Sequence, residues 1–391
     1  MKEGVMFTKR KFRQVVVIAA ALGLAMSSAT VTFASKGTSG AIKQLNKDGF
    51  TQLVDAINKA AKPSSLKLKD GSTFKLNPKI AAKIKAKKPV IWVNSYGAKG
   101  IPLFSQQYDQ GQKKALKAGK LILPMTLKDV TAEGNSQDVK KQIAGIEAAL
   151  NTGQMDCLTI QPLDNNSFTA ITNKVMAKGI PVFTVGVTSG GNEFSNFTQV
   201  APKEGAQAAD IVIDWMKKNN KQLKVFAVSG GDPSASWAQG RMQGFIDRIT
   251  AKVPGAKFVN NASNALTTTY DPAKTLDAYK AFLTGNPDVE FIQNVDIGAE
   301  YANRAIKEGG REGKVFTIGW NLSVGQLDGI DAGTQVAALD QAWAQQSGFG
   351  AVACAMFLKF GKIAPNTQVL IPVTKETGTK ASRDLLSALA K

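Results

Sequence analysis

The 391-residue chain contains no histidine. That removes the commonest general base and every histidine-ligated metal centre. It also excludes hydrolases built on Ser-His-Asp or Cys-His pairs. Carboxylate and lysine chemistry stay open. Cysteine is nearly absent, with only Cys157 and Cys354. An exported chain could pair them, but Cys157 falls in a buried strand pattern and Cys354 in an apolar helix (AVACAMFLKF), so two separate buried thiols acting as small hydrophobes are the expectation, with a disulfide as the alternative. There is no Walker A pattern, and GAKG at 97–100 is only a fragment of a dinucleotide-binding fingerprint. SGGD at 229–232 reads as a plain turn. Asp164-Asn165-Asn166 lacks the remaining ligands of a calcium loop. No cofactor, no metal site and no catalytic residue is expected.

Acid is scarce relative to base: 49 Lys and Arg face 30 Asp and Glu, for a net charge of +19. The excess is local. Residues 35–90 hold 13 lysines, no arginine and 3 aspartates, whereas 91–391 carry a balance of only +5. The lysine-rich stretch has no arginine or aromatic cluster to stack bases or read a groove, so no nucleic-acid partner is expected. It reads as a solvated, partly flexible surface, with contact to an anionic envelope surface or a partner as the alternative. The first 34 residues differ again. Five basic residues lead into a 12-residue apolar run at 15–26, and small residues ending in Thr32-Phe33-Ala34 follow. This is the layout of a secretory signal peptide, with cleavage expected near Ala34. The run is short for a bilayer roughly 30 Å thick.

What is there is regular. A helix is expected at 41–61, a second short one at 80–88, and a lysine-rich helical extension over 35–88 as a whole. From Pro89 onward, apolar runs of four to seven residues alternate with amphipathic stretches. The expected strands are 90–93, 120–126, 157–160, 182–185, 224–229, 257–260, 291–294, 315–320 and 334–339. Helices are expected at 137–150, 168–178, 203–218, 237–249, 272–283 and 299–307. The strand runs are apolar throughout, as in a parallel sheet covered on both faces. Repeated βα units give doubly wound α/β sheets. The series restarts near Val200, so two similar lobes are expected rather than one large sheet.

Such sheets bind ligands beyond the carboxyl ends of their strands. Asn94, Tyr96, Gln161, Gly186, Asn294, Asp296, Trp320, Asn321 and Gln341 stand there, with Phe104, Trp237 and Arg241 in the helices that follow. Amides donate and accept at once, which suits hydroxyl groups. Aromatic faces suit C–H-rich rings. Together they describe a site for a neutral polyhydroxylated molecule. Each residue taken singly has a local role open to it, since Asn and Ser cap helices and turns and Trp fills cores.

Four stretches carry a family resemblance: MDCLTIQPLDNNSFTAITNKVMAKGIPVFTVG, WAQGRMQGF, DVEFIQNVDIGAEYANRAI and VFTIGWN. Over residues 89–373 the chain resembles the periplasmic sugar-binding proteins of ABC transporters, of the ribose- and galactose-binding type. The resemblance implies two Rossmann-like lobes of the type I periplasmic binding protein fold, joined by three hinge crossings. The lobes would be 89–201 plus 342–368 and 202–341 plus 369–391. It implies closure on one sugar and docking on a membrane permease or a chemoreceptor, by a monomer that is not an enzyme. By position, Phe104 resembles the aromatic covering a sugar face and Gln161 an amide or acid after the third strand. Arg241 resembles an arginine bonding ring and hydroxyl oxygens. Asn294 or Asp296 matches the polar residue after the eighth strand, Asn321 a position usually aspartate, and Gln341 the hinge-adjacent amide.

Two departures stand out. Relatives that bind aldopyranoses commonly show Asp-Arg where this chain has Gly186-Val187, and Asn321 replaces an acid. Room rather than charge is the expectation at that wall. Two other classes share the architecture. A sugar-responsive repressor needs a helix-turn-helix in front, where this chain has an export leader and a lysine-rich segment. An enzyme on a doubly wound fold would have to work without histidine or a phosphate loop.

Overall fold

A computed structural model describes residues 36–97, 102–131, 138–164, 166–198 and 200–389. The expected leader at 1–34 lies outside them. Three helices come first: α1 (Lys36–Lys47), α2 (Thr51–Lys59) and α3 (Pro78–Lys85). Alternation then begins with β1 (Val90–Tyr96), α4 (Pro102–Ile122), β2 (Met125–Asp129), α5 (Val139–Asn151), β3 (Cys157–Gln161), α6 (Thr169–Ala177), β4 (Val182–Gly186) and β5 (Asn196–Thr198). It resumes with α7 (Ala201–Lys218), β6 (Val225–Gly230), α8 (Ser236–Lys252), β7 (Lys257–Phe258), β8 (Leu266–Thr267), α9 (Pro272–Gly285), β9 (Phe291–Asn294), α10 (Ala299–Glu308), β10 (Phe316–Trp320), α11 (Val324–Ala332) and β11 (Gln335–Asp340). The chain ends with α12 (Trp343–Phe360), β12 (Thr367–Gln368), β13 (Ile371–Thr374) and α13 (Lys380–Leu389).

Two sheets result. The first runs β12-β5-β4-β3-β1-β2 and the second β13-β11-β10-β9-β6-β7, with β8 also on β6. All pairings are parallel except β11 with β13. The chain passes between the sheets after β5, after β11 and after β12. Strands β3, β4, β9 and β10 are buried along their whole length, as in a parallel sheet with helices on both faces.

Three expectations are corrected. The strand expected at 120–126 begins instead at Met125, because the apolar residues before it close α4 at Ile122 and Pro124 cannot extend a helix. The single helix expected at 41–61 is two, broken at Asp48-Gly49-Phe50. The cysteines are not separate thiols. Cys157 and Cys354 form a disulfide across 197 residues, with their Cα atoms 5.9 Å apart. Each was correctly placed as buried, but the return of α12 across β3 brings them face to face.

The lysine-rich segment is not a detached surface. Ala41, Leu45, Phe50, Leu53, Ile57, Phe74 and Ile80 are buried in the same core as β1, β3, β4 and α12. Phe74 meets Phe194 and Phe357 with ring centroids 4.9 and 5.8 Å apart. Asn77 N–H donates to Gly179 O at 2.9 Å, and Lys83 pairs with the buried Asp156 at 2.7 Å. The physical reason lies in α12. Its residues from Trp343 to Leu358 are all buried. A helix apolar on every side has to be covered on every side. The sheet covers one side of α12, α4 another, and α2 packs on it as well. Most of the segment's lysines point outward, toward solvent.

Candidate functional site

Arg241, on α8, gathers three hydrogen-bond partners at the carboxyl end of the second sheet. Arg241 is 2% exposed. Nε donates to Glu204 Oε2 at 2.8 Å, Nη1 to Val295 O at 3.0 Å, and Nη2 to Gln341 Oε1 at 2.7 Å. Its central carbon lies over the Trp237 and Trp320 rings, 5.2 and 5.1 Å from their centroids. Weakly hydrated and planar, an arginine tolerates this position better than a lysine would. Glu204 is on the first turn of α7 and fully buried. Burial raises its carboxyl above the usual value, and Arg241 pulls it back.

From Gln341 the network crosses to the first lobe. Gln341 Nε2 donates to Asn321 Oδ1 at 2.7 Å, and Trp343 Nε1 donates to the same oxygen at 2.8 Å. Asn321 holds a φ of 67°, a conformation that Asn adopts more readily than most residues. The Trp343 ring packs on Phe104 with centroids 4.8 Å apart and on Tyr108 at 5.8 Å. Phe104, Trp237, Arg241, Trp320, Asn321 and Gln341 thus form one connected set, and Trp343 and Glu204 belong to it.

Gln161 and Gly186 make a second set at the ends of β3 and β4. Gly186 has a φ of 71°, and a Cβ added to it would stand 3.3 Å from the Gln161 amide. Backbone conformation is therefore a reason for glycine here, alongside room. The Gln161 amide also lies beside the Tyr108 hydroxyl, which links this set to the aromatic group.

Asp296 lies between the two patterns. Its Oδ2 accepts from Gly231 N–H and its Oδ1 from Gly298 N–H at 3.0 Å. Burial raises its carboxyl, opposed by those two backbone bonds and by Arg241. Asn294 is spent inside the second lobe. Its Nδ2 donates to Tyr279 Oη at 2.9 Å and its Oδ1 accepts from Asp296 N–H at 3.0 Å. Tyr96 lies under α12, with its hydroxyl donating to Ser347 O at 2.7 Å. Asn94, on the same strand, is fully buried, and its amide atoms meet no hydrogen-bond partner among the described residues. β1 runs to Tyr96 rather than stopping at 93, so Asn94 lies inside the strand and Tyr96 is its last residue.

Trp343 stands close to the strand end at Gln341 but is not among the expected site residues. Three further residues lie near the site, and the first, Glu204, follows a crossing between the lobes, not a βα turn. Tyr108 is four residues after Phe104, on the same helix face, and that spacing was a usable signal. Tyr270 is 54% exposed. Its ring would be met by a Cβ on Gly231 at 2.7 Å, and Asp296, Asp232 and Arg241 all act on its hydroxyl. No cluster of carboxylates and thiols among the described residues is placed to hold a metal ion.

A cavity of about 770 Å³ is elsewhere. It lies among Lys221, Glu290, Arg311 and Phe316 at the amino ends of the second sheet's strands. That is the end opposite the one where such sheets bind ligands.

Two parallel sheets with three crossings between them, and a polar-aromatic set where they meet, define the type I periplasmic binding protein fold. Residues 92–362 match the periplasmic binding protein domain, and the chain belongs to that family. A D-ribose/D-allose-binding protein of Pseudomonas aeruginosa is 26% identical over 222 residues, 54% of this chain and 66% of that protein. The match thus spans just under two thirds of that relative's length. Among solved structures, a Caulobacter myo-inositol-binding protein with bound myo-inositol is similar at a TM-score of 0.59 and 22% identity, over 75% of this chain and 96% of that one. A periplasmic solute-binding protein of Actinobacillus succinogenes with bound D-allose is similar at a TM-score of 0.63 and 18% identity, over 75% and 100%.

Proposed function

We propose that this protein is an extracytoplasmic receptor that captures a sugar, polyol or related neutral solute and delivers it to the permease of an ABC importer. The observation that carries the reading is the continuous set Glu204–Arg241–Gln341–Asn321–Trp343–Phe104, which joins the lobes at their second crossing. Its one cation is matched by a buried carboxylate, so the site offers a neutral ligand amide groups and aromatic faces rather than net charge. Hydroxyls exchange hydrogen bonds with amides, and ring C–H faces pack on indole and phenyl rings. The named relatives bind ribose, allose and inositol, all neutral and polyhydroxylated.

Closure follows from differential contact. A ligand touching both lobes favours the closed arrangement by the contacts it makes only there. Phe104, Gln161 and Gly186 would present the first lobe's wall. Trp237, Arg241, Asp296 and Trp320 would present the second, with Asn321 and Gln341 at the crossing. No chemical conversion belongs to this cycle. The receptor acts as a monomer, and a chemoreceptor is a second candidate docking partner for the closed form. Export through the leader, cut near Ala34, would place it in the periplasm, where a disulfide such as Cys157–Cys354 persists.

Two measurements test this. Mass spectrometry of small molecules released on denaturing the freshly purified protein should find a sugar or polyol. Calorimetry against D-ribose, D-allose, D-arabinose, D-fucose and myo-inositol should find at least one binder, weakened by Phe104→Ala. Silence across a wide panel of neutral solutes would count against the reading, and turnover of any of them would overturn it.

A further inference from the structure

The lysine-rich segment meets the site's machinery at one point. α2 begins without a cap of its own, because Phe50 stands at the N-cap position and contributes no side-chain bond. The first amides of a helix have no partner within it, and a side-chain oxygen usually takes those of the second and third residues. Here that oxygen comes from 293 residues further along the chain. Gln345 Oε1 accepts from Gln52 N–H at 2.9 Å and from Leu53 N–H at 3.3 Å. Gln345 Nε2 donates in return to Gln52 Oε1. Gln345 is 7% exposed.

Gln345 belongs to the first turn of α12, which carries Trp343. Side-chain bonds from that turn reach several neighbours. Trp343 reaches Asn321 in the second lobe at 2.8 Å. Gln346 Nε2 donates to Gln341 O at the crossing at 2.7 Å, and Ser347 Oγ donates to Tyr108 O on α4 at 3.0 Å. Gln345 ties the turn to residues 50–53, which precede the family-matched region. The turn starts from a strained residue, Ala342, with a φ of 52° and no side-chain cap of its own. Local preference therefore does not fix its direction, and its tertiary ties do.

We propose that the start of α2 acts through Gln345 as a brace that sets the first turn of α12 and so places Trp343 for ligand capture. Gln345 is a positioning residue and touches no ligand. The inference rests on the site reading above, since it assigns Trp343 a place in the ligand's wall. A segment outside the shared domain would then tune affinity in a site that it does not enter.

The test uses the mature full chain labelled with fluorotryptophan. The Trp343 fluorine resonance is assigned with Trp343→Phe. Gln345→Leu keeps the bulk and removes the acceptor. Gln345→Glu keeps an acceptor at a helix N-terminus, where negative charge is favoured. In Gln345→Leu the Trp343 resonance should shift or broaden, while that of Trp215, packed on Phe316 in the second lobe, stays put. Affinity for D-allose, or for the first panel sugar that wild type binds, should fall about tenfold. Gln345→Glu should restore both readings. An unmoved Trp343 resonance in Gln345→Leu overturns the brace. So does an equal disturbance of Trp343 and Trp215, which would mean general loosening. Should Gln345→Leu fail to fold, Gln52→Ala removes the side-chain half of the contact and takes the same resonance test. If wild type binds no sugar in the panel, the site reading fails, and the fluorine spectra still decide the brace.

Discussion

The two lobes each cover one face of their sheet with a tightly packed helix pair, α4 with α12 in the first and α7 with α8 in the second. The close approach uses glycine in both. A Cβ on Gly111 would stand 2.0 Å from Ala344 O, and one on Gly205 the same distance from Arg241 O. The outer surfaces differ. On α7 the buried residues are Glu204, Gly205, Ala208, Ala209, Val212, Ile213 and Met216, one stripe with polar residues opposite. On α12 residues 343–358 are buried without a break. The same architectural unit is a two-layer structure in one lobe and a three-layer structure in the other. The lesson is that the composition of α12 already demanded an outer layer, and that the lysine-rich segment is what supplies it.

The largest expected effect breaks that difference directly. Deleting residues 36–88 would uncover α12 and part of α4. We expect the truncated chain to be insoluble, or soluble only with dye-binding apolar surface and no cooperative melt. A milder version is Leu53→Ala, at about 2–5 kcal/mol by the usual cost of a buried leucine. The matching change on the outer face of α7, Gln207→Ala, should stay within about 0.5 kcal/mol. Chemical denaturation of the variants checks both. A truncated chain that melts cooperatively would show that the third layer is dispensable.

The contrast also marks what could be read in advance. Strand centres were legible because a run such as VIWV at 90–93 is apolar on both faces, as a covered parallel sheet requires. The short strands β5, β8, β12 and β13 carry two to four residues each, too few to show a pattern. Strand-end logic gathered Arg241, Asn321 and Gln341, which the structure does bring together. It could not tell which way Asn294 points, and it took Asn94 for an end when β1 continues to Tyr96. Glu204 and Trp343 follow crossings, where the chain leaves one sheet for another, and no local spacing reports a partner in the other lobe. The disulfide was illegible for the same reason.

Each lobe has its own fastening in this layer. In the second lobe it is the Glu204–Arg241 pair, in the first the disulfide. Arg241→Ala would leave a buried carboxylate uncompensated, a loss of about 3–5 kcal/mol. Arg241→Met with Glu204→Gln should recover most of that stability while losing the bond to Gln341 Oε1, and with it ligand affinity. Replacing Cys157 and Cys354 together by Ala should cost about 2–4 kcal/mol. That loss should leave ligand affinity nearly intact, because neither sulfur lies in the connected set. Denaturant titration beside calorimetry separates the two fastenings. An equal loss of affinity in both would mean that the lobes do not differ in this respect.

The smallest effect lies at the boundary between the lobes. Asp340 ends β11 and accepts from Ala342 N–H at 2.8 Å, holding the turn into α12. Burial raises its carboxyl from the usual 3.8 to about 6. The folded chain therefore keeps this proton over a range where the unfolded chain has released it. Its favourable contribution is complete below about pH 3.8 and disappears as the pH rises toward 6. In Asp340→Asn the amide oxygen still accepts from Ala342, and nothing ionises. The variant should match wild type near pH 4 and exceed it by about 1 kcal/mol above pH 6, after allowance for solvent at this half-buried site. Urea unfolding at the two pH values measures the difference. An equal gain at both would trace it to something other than the proton. A loss at pH 7 would mean that the charge itself holds the crossing, and that the second lobe's end contributes electrostatically to the turn that starts α12.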